Sequence, residues 1–197
     1  MKMKHSVRAL TFKYHGIARR ELEAAGQIAV AAGIQEHQIV RLPDLKEAGK
    51  IRLPILSAMP PTYIPMRNSV FYSLAASYAE EVGVDMIVGG HNKDDTRSFA
   101  DAAPEFFEEL KQAFWIGSPI LRERRTKIFL PLSMKTKVQV IKIASSLGVP
   151  LRLTWSCHRD GKGHCWHCDG CRARIVSFTK AGVLDPLRGP NRAGKIS

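Results

Sequence analysis

The 197-residue sequence contains no long uninterrupted run of apolar residues and no low-complexity tract. Its apolar runs are short, as at Met86-Ile87-Val88, whereas a membrane-spanning helix needs roughly 20 consecutive apolar residues. The apolar stretch at residues 7–12 is also too short and too interrupted for the core of a signal peptide. We therefore expect a globular protein that does not associate with membranes and stays in the cytoplasm.

Acidic residues are scarce, with 18 Asp and Glu against 30 Lys and Arg, so the formal net charge is +12. A basic surface favours phosphate-bearing partners such as nucleotides, RNA or DNA, but it also serves solubility. No nucleic-acid recognition motif accompanies the charge. The basic residues are spread along the chain, with one local cluster at Arg122, Arg124, Arg125 and Lys127. The charge is compatible with tRNA binding, but we do not expect tRNA binding from it.

Cysteine is rare, and the few cysteines are clustered. They lie within fifteen residues, at Cys157, Cys165, Cys168 and Cys171. In a cytosolic protein such a cluster binds metal more often than it forms disulfides, and two successive C-x2-C steps let the backbone fold round one ion. Tetrahedral thiolate ligation favours Zn²⁺, with an iron–sulfur centre or a redox pair as the alternatives. The neighbouring histidines are alternative ligands: His158, His164 and His167. Because four thiolates leave no open position, we expect a structural zinc.

Apolar periodicity predicts strands that alternate with helices. The predicted strands are residues 7–12, 38–42, 85–89, 128–132 and 151–154, and the predicted helices are 19–32, 69–82, one from about 104, and 135–147. Ser69 is a candidate N-cap, and Gly33 and Gly148 end two of the helices. The alternation predicts an α/β fold with a doubly wound, mostly parallel sheet, whose ligands bind at the carboxyl ends of the strands. We expect an α/β domain over residues 1–150 and a zinc-binding module over 151–197.

One polar segment directly follows the predicted buried strand at residues 85–88. It reads Gly89-Gly90-His91-Asn92-Lys93-Asp94-Asp95. Its glycines allow close backbone approach, and its acidic pair is suited to a magnesium ion or to the donor edge of a base. The alternative is an ordinary polar loop between a strand and a helix.

Two other polar groups stand at predicted helix starts. Arg67 and Asn68 precede a helix N-terminus, which is a favourable anion site, and Arg67 suits forked pairing with a phosphate. Lys137 also lies at a helix start, where a cation opposes the helix dipole and so indicates an anionic ligand. The alternative for Arg67 and Lys137 is a solvated surface side chain.

These pieces in this order resemble the 7-cyano-7-deazaguanine synthases, a branch of the PP-loop ATP pyrophosphatases. The resemblance runs from about residue 7 to residue 186. It rests on these segments: Ala9-Leu10-Thr11-Phe12, Arg20-Glu21-Leu22-Glu23-Ala24-Ala25, Tyr63-Ile64-Pro65-Met66-Arg67-Asn68, Asp101 with Pro104-Glu105-Phe106, Pro131-Leu132, Thr136-Lys137, Leu147-Gly148-Val149-Pro150, Leu153-Thr154-Trp155-Ser156-Cys157, and the later cysteines with Asp169.

The resemblance implies an ATP-dependent ligase that joins ammonia to 7-carboxy-7-deazaguanine and forms a nitrile for queuosine or archaeosine in tRNA. ATP with Mg²⁺ would activate the carboxylate as an adenylate, ammonia would give the amide, and a second activation would dehydrate it. By the same resemblance Arg67 and Asn68 line the nucleotide pocket, Asp101 lies near the base and Lys137 near the phosphates. The zinc module braces the wall of the site, and residues 1–150 form a PP-loop-type nucleotide-binding domain.

Three departures from the family pattern stand out. The family's opening strand and its Ser-Gly-Gly-x-Asp-Ser pyrophosphate loop have no counterpart after Met1, so we expect weak or no ATP turnover from these 197 residues. The family's Asp-Tyr-Gly-Gln-Arg-His is residues 13–18 here, Lys-Tyr-His-Gly-Ile-Ala, and its Tyr-Pro-Asp-Cys-Arg is residues 99–103, Phe-Ala-Asp-Ala-Ala. The segment from His91 and Asn92 to Asp95 instead resembles a loop of the tRNA-thiolating and tRNA-lysidine branches, and it implies contact with the nucleotide.

Three hypotheses follow. The first is the nitrile-forming ligase, with a start recorded downstream of the true one. The second is a different PP-loop enzyme that acts on tRNA, and the third is a non-catalytic, zinc-stabilised nucleotide- or RNA-binding relic. An incomplete sheet also exposes an edge, which a homodimer would cover.

Overall fold

The computed structural model describes residues 5–45 and 63–188, in which each strand is followed by one or more helices or by a loop that leads to one. The strands are β1 (Arg8–Tyr14), β2 (Glu36–Leu42), β3 (Met86–Val88) and β4 (Lys127–Phe129), and the α-helices are α1 (Arg19–Ala31), α2 (Arg67–Val82), α3 (Lys93–Thr96), α4 (Pro104–Gly117), α5 (Pro119–Glu123), α6 (Lys137–Ser146) and α7 (Asp169–Ala181). Short 3-10 helices cover Ala100–Ala102 and Leu151–Leu153. None of the described helices has the length and apolar character needed to cross a bilayer.

The chain divides into two compact units, one of residues 1–44 with 138–197 and the other of residues 45–137. Each unit contains one pair of parallel strands. In the first, β1 runs beside β2 from Arg8 opposite Glu36 to Tyr14 opposite Leu42. In the second, β3 and β4 pair over three residues each. The α/β class with parallel strands is confirmed, and the domain division into residues 1–150 and 151–197 stays a prediction.

The first unit begins with a β-α-β unit that matches the sequence pattern. Helix α1 packs on β1 and buries the small side chains of Ala24 and Ala29. It ends where expected, because Gly33 follows with a φ of +72°, a left-handed conformation that glycine adopts without steric cost. Across the strand pair, the Thr11 hydroxyl lies 2.8 Å from Nε2 of His37.

The second unit is built around α2. Ala76 and Ala79 of that helix pack against Leu121 of α5, and the partly buried side chains around them are Val84, Ile87, Phe114 and Trp115. Helix α4 begins at Pro104 as predicted. Proline suits this first position because its missing N–H would have no partner in the helix.

Two predictions about element starts and exposure were wrong. Helix α2 begins at Arg67, so Ser69 lies inside the helix and the N-cap is Met66, whose side chain makes no capping bond. Strand β3 is not buried, since Met86 is 42% and Val88 is 62% exposed. Its sequence is uniformly apolar, but in a two-stranded pair only Ile87 meets the core.

Two predicted strand segments also form turns instead. The segment after Phe129 leaves the ladder because Ser133 N–H bonds to the Leu130 carbonyl and Lys135 N–H to the Leu132 carbonyl. Residues 151–153 form a 3-10 helix, in which the Leu151 carbonyl accepts from Thr154 N–H. Local bonds therefore use the backbone groups that a neighbouring strand would need.

Candidate active site and metal centre

The four cysteines converge in the first unit. Their Sγ atoms all lie within 4.8 Å of one another. The Cys165–Cys171 and Cys157–Cys168 separations are both 3.9 Å. Zn–S bonds of about 2.3 Å at tetrahedral angles place sulfur atoms about 3.8 Å apart. The donor set and its spacing therefore fit one tetrahedral zinc ion.

The backbone around the cluster supports this geometry. Cys168 is the N-cap of α7, and Cys171 is buried in its first turn. The N–H of Cys168 donates to Sγ of Cys165 at 3.4 Å, and the N–H of Arg159 donates to Sγ of Cys157 at 3.4 Å. Amide donors of this kind stabilise a thiolate and so favour metal ligation.

Gly170 is required where α7 begins. A Cβ at this position would lie 2.0 Å from the Ser156 carbonyl oxygen and 2.9 Å from Nε2 of His158. Only glycine allows the helix to approach the segment before Cys157 so closely. Gly170 thus helps to hold Cys157 against Cys168 and Cys171.

The thiols differ in acidity. Hydrogen bonding from the backbone of His167 lowers the pKa of Cys165 to about 6. Burial raises the pKa of Cys171 far above the ordinary value of a thiol. Metal ligation requires the thiolate form, which these shifts favour at Cys165 and disfavour at Cys171.

The nearby histidines have other partners. Nε2 of the buried His164 accepts from the N–H of Ser156 at 3.1 Å. His167 contacts the Cys165 carbonyl oxygen through Nδ1 at 2.6 Å and the Arg159 guanidinium through Nε2 at 3.1 Å. Within the described residues, the metal-binding group comprises the cysteines without a histidine.

A buried ion pair, which sequence reasoning missed, anchors α7 next to this centre. Nε and Nη2 of Arg174 donate to the two carboxylate oxygens of Asp185 at 2.7 and 2.8 Å. Nη1 donates to the Thr154 hydroxyl at 2.7 Å, and Nη2 reaches the Leu151 carbonyl at 3.4 Å. One guanidinium thus joins α7 to the segment that leads into Cys157. The sequence around Arg174 and around Asp185 carries no local signal that predicts this pair.

The second unit contains the predicted nucleotide-contacting residues. At the start of α2, the N–H of Asn68 donates to the Asp101 carboxylate at 3.0 Å, and its side-chain amide donates to the Asp101 carbonyl at 2.9 Å. Asp101 therefore caps α2 from a distance, because Met66 supplies no capping side chain. Asn68 is only 3% exposed, so its role within the protein is to fix Asp101.

Arg67 lies beside two aromatic rings. Its Cζ atom is 6.0 Å from the ring centroids of both Phe71 and Phe99. Tyr63 stacks on Phe99 with centroids 6.4 Å apart and rings nearly parallel. Among residues 5–45 and 63–188, no carboxylate forms an ion pair with Arg67, so its guanidinium retains donors for a ligand.

The loop after β3 has its carboxylates engaged. Asn92 and Asp95 form a reciprocal capping box at the start of α3. Asp94 accepts from the backbone N–H of Lys137 at 2.8 Å and so caps α6, while Nζ of Lys137 lies 3.1 Å from Asp95. The anion that Lys137 meets at its helix start is thus a side chain of the protein itself. Within the protein, the acidic pair caps two helices and forms an ion pair with Lys137.

His91 packs beside the rings of Phe107 and Tyr72, whose centroids are 4.5 Å apart. Its centroid is 4.8 Å from that of Phe107 and 5.8 Å from that of Tyr72. Burial lowers the pKa of His91, with Arg67 acting in the same direction and the carboxylates of Asp95 and Asp101 opposing it. Arg67, Asp95 and Asp101 therefore all lie close enough to His91 to influence its pKa.

Comparison with known proteins agrees with these features. A family model described as queuosine biosynthesis protein QueC matches residues 1–182. The 7-cyano-7-deazaguanine synthase of Trichormus variabilis is 36% identical over 194 residues, which cover 91% of this chain and 85% of that protein. The protein of the same name from Thermoplasma acidophilum is 35% identical over 195 residues, which cover 93% of this chain and 81% of that protein. The resemblance found in the sequence is confirmed, and the chain belongs to the family of the queuosine biosynthesis protein QueC.

Proposed function

We propose that this chain carries out the ligation for which its relatives are named: 7-carboxy-7-deazaguanine and ammonia are joined, at the expense of ATP, to 7-cyano-7-deazaguanine. The observation that carries the proposal is the match to the QueC family over residues 1–182, together with relatives about one-third identical over nearly the whole chain. The product would serve queuosine or archaeosine modification of tRNA.

The reaction would proceed in two activations. The substrate carboxylate attacks the α-phosphorus of ATP and pyrophosphate leaves, after which ammonia displaces AMP and gives the amide. The amide oxygen then attacks the α-phosphorus of a second ATP and pyrophosphate leaves. AMP departs with that oxygen, and the nitrogen gives up its two protons, so that the nitrile forms. Each activation develops negative charge on the phosphates, which positively charged donors stabilise.

The proposed roles follow from the contacts in the second unit. Arg67 would bind the nucleotide through its guanidinium N–H groups, which no carboxylate of the described residues engages. Asn68 would support the nucleotide site indirectly, because its two hydrogen bonds hold Asp101 in position. Lys137 would exchange its partly exposed Asp95 partner for a phosphate. His91, Asn92 and Asp95 would form the nearby wall of the nucleotide pocket, and Mg²⁺ would accompany ATP as part of the substrate. Asp101 would lie near the base.

Zinc would be structural. The four thiolates would complete its coordination, so that it would leave no position for substrate, and its contribution would be to fix the start of α7 against the segment before Cys157. A homodimer covering a sheet edge is an expectation that this proposal does not require.

The test is release of AMP and pyrophosphate from ATP with 7-carboxy-7-deazaguanine and ammonium. The 197 residues contain no Ser-Gly-Gly-x-Asp-Ser sequence. The assay therefore compares the chain with a version to whose N-terminus a strand and a Ser-Gly-Gly-x-Asp-Ser loop have been added. Nitrile formation by the loop-bearing version supports the proposal. If neither version forms amide or nitrile while both fold and bind zinc, the proposal is wrong.

A matched pair of variants tests the role of Lys137. In the loop-bearing version, Lys137→Ala should lower the rate of AMP formation by about 100-fold or more, because a cation that stabilises transferring phosphates is lost. Lys135→Ala removes an exposed lysine two residues away and should leave the rate unchanged. Equal rates for the two variants would remove Lys137 from the proposed machinery.

The tRNA-acting alternative is favoured by the net charge of +12 and by the His91–Asp95 sequence. It predicts tRNA binding whose affinity falls steeply with salt, and filter binding at two salt concentrations would detect it. A relic would keep its fold and its zinc but would turn over no ATP in either version.

A further inference from the structure

One face of the β3–β4 strand pair in the second unit is exposed and carries an aromatic ring. Met86 and Val88 are exposed, and so is Phe129, at 50%. The register places Met86 beside Lys127 and Val88 beside Phe129. Because side chains alternate between the two faces of a strand, these four residues form one surface, the exposed sheet face. On the other face, Ile87 packs against the core of the unit.

Positively charged side chains lie where β4 begins. Arg122, Arg125 and Lys127 are exposed, and none of them forms an ion pair with a residue that the structure describes. Arg124 differs, because its Nη1 donates to the Gly83 carbonyl at 3.0 Å. Two of the three uncompensated cations are therefore arginines, whose planar fork of donors matches the free oxygens of a phosphate group.

The backbone at Arg125 adopts a conformation that favours glycine. Helix α5 ends with the Thr126 N–H bonded to the Leu121 carbonyl at 3.0 Å and the Arg125 N–H bonded to the Arg122 carbonyl at 3.1 Å. This helix end needs a left-handed residue at the position of Arg125, whose φ is +51°, and glycine adopts it without steric cost. Thr126 is buried, and its hydroxyl donates to the Val84 carbonyl at 3.3 Å, so the turn is fixed. The chain thus keeps a cation where glycine would be the more stable choice.

We propose that the exposed sheet face and the three cations beside it bind a single-stranded nucleic acid. A base stacks on Phe129, and the two arginines and Lys127 pair with backbone phosphates, which is the combination that sequence-tolerant single-strand binding uses. The net charge of +12 alone gave no reason to expect such binding, but it attracts a polyanion to this surface. A second copy of the chain is a poorer partner, because a two-fold interface would bring the cations towards their own copies. The proposal does not depend on the proposed ligation.

The test is fluorescence anisotropy of labelled uridine and thymidine oligomers of about 12 nucleotides, titrated with the 197-residue chain at about 50 and about 200 mM salt. A cation variant combines Arg122→Ala, Arg125→Gly and Lys127→Ala. It should raise the Kd by about tenfold or more, and the loss of three phosphate contacts should reduce the slope of log Kd against log salt by about 2. Phe129→Leu keeps an apolar side chain without the ring and should raise the Kd by about fivefold or more.

Two controls separate this surface from charge and folding. Arg125→Gly alone should raise the thermal midpoint, because it relieves the left-handed backbone, and should still weaken binding. A charge control combines Lys142→Ala, Lys162→Ala and Lys180→Ala, which removes the same charge from exposed lysines of the first unit and should leave the Kd nearly unchanged.

Loss of affinity in the cation variant and in Phe129→Leu, but not in the charge control, supports the proposal, and the oligomer with the lower Kd identifies RNA or DNA as the preferred strand. Equal losses in the cation variant and the charge control would overturn it, because binding would then follow net charge alone. An unchanged Kd in Phe129→Leu would also overturn it. So would the absence of binding at the lower salt concentration, including the case in which phosphatidylserine vesicles are bound instead.

Discussion

The Arg174–Asp185 pair allows a quantitative test of what holds the metal-binding part together. Its donor–acceptor distances are 2.7 and 2.8 Å, and the two side chains are only 4% and 5% exposed. Removing one member leaves the other as a buried charge without compensation, which costs about 3–5 kcal/mol. We therefore expect Asp185→Asn to lower the free energy of unfolding by about 3 kcal/mol, and Arg174→Met by slightly more, because Thr154 also loses its donor.

The measurement is urea unfolding followed by circular dichroism at fixed zinc concentration and neutral pH. Glu36→Gln is the control, since its ion pair with Arg8 is 3.0 Å long but 55% and 35% exposed at the two side chains. Exposed pairs of this kind contribute about 0–1 kcal/mol, so the control should change little. Combining Arg174→Met with Asp185→Leu removes both charges and should cost clearly less than the sum of the single changes.

The pH dependence of the free energy of unfolding shows whether the Arg174–Asp185 pair stabilises the fold. Burial raises the pKa of Asp185, but hydrogen bonds from Arg174 and from Leu187 N–H lower it more, and the net pKa lies below the ordinary value of 3.8. A lowered folded-state pKa contributes stability that is complete above the unfolded pKa of about 3.9 and is lost as pH falls through the folded pKa. Asp185→Asn should remove this contribution to the acid limb. A cost below about 1 kcal/mol at neutral pH, with additive single changes, would refute the reasoning.

Two further changes have neighbouring controls. Gly89→Ala should lower the free energy of unfolding by about 1–3 kcal/mol in thermal or urea unfolding, because the added Cβ would lie 1.7 Å from the Tyr72 hydroxyl oxygen. In the control Gly90→Ala, the added Cβ meets nothing within 4 Å, so the stability should hardly change. Equal stability of the two variants would contradict the packing around Gly89. Cys171→Ser should abolish the binding of one zinc ion per chain, measured by plasma mass spectrometry, and should make the fold sensitive to chelators. The control His158→Ala should retain the zinc. Retention of zinc by the serine variant would exclude Cys171 as a ligand.

The sequence predicted best those features that depend on residues close together in the chain. The start of α1 at Arg19 and that of α4 at Pro104 were correct, because helical periodicity and helix-start preferences act over a few residues. The cysteine cluster was predicted for the same reason, since two C-x2-C steps bring three of the sulfurs together and Cys157 lies only a short distance before them in the chain. Gly33 and Gly148 both have left-handed backbones at helix ends, as expected.

Prediction failed where partners distant in the chain decide. The apolar sequence of β3 indicated burial, but exposure depends on what covers the strand, and Val88 is exposed. Residues 151–154 were predicted as a strand, yet residues 151–153 form a 3-10 helix, whose Leu151 carbonyl also accepts from Arg174, 23 residues away. The Arg174–Asp185 pair itself has no local signature, because neither residue is unusual at its own position.

At the helix starts of the candidate site, the residues predicted to contact a ligand have partners within the protein. Arg67, Asn68 and Lys137 were chosen because a helix N-terminus attracts anions, and each of α2 and α6 has a carboxylate at its start, Asp101 in one case and Asp94 in the other. Since those carboxylates belong to the protein, a bound phosphate has to use groups that they leave available. The side chain of Lys137 is available to a phosphate, because it is 43% exposed and its partner Asp95 is 28% exposed. Such a partly exposed ion pair is worth about 1 kcal/mol or less, so a phosphate can replace Asp95. Asn68 is not available to a phosphate, because it is buried and makes two hydrogen bonds to Asp101. The predicted residues therefore separate into side chains that can reach a ligand and side chains that hold the first group in position.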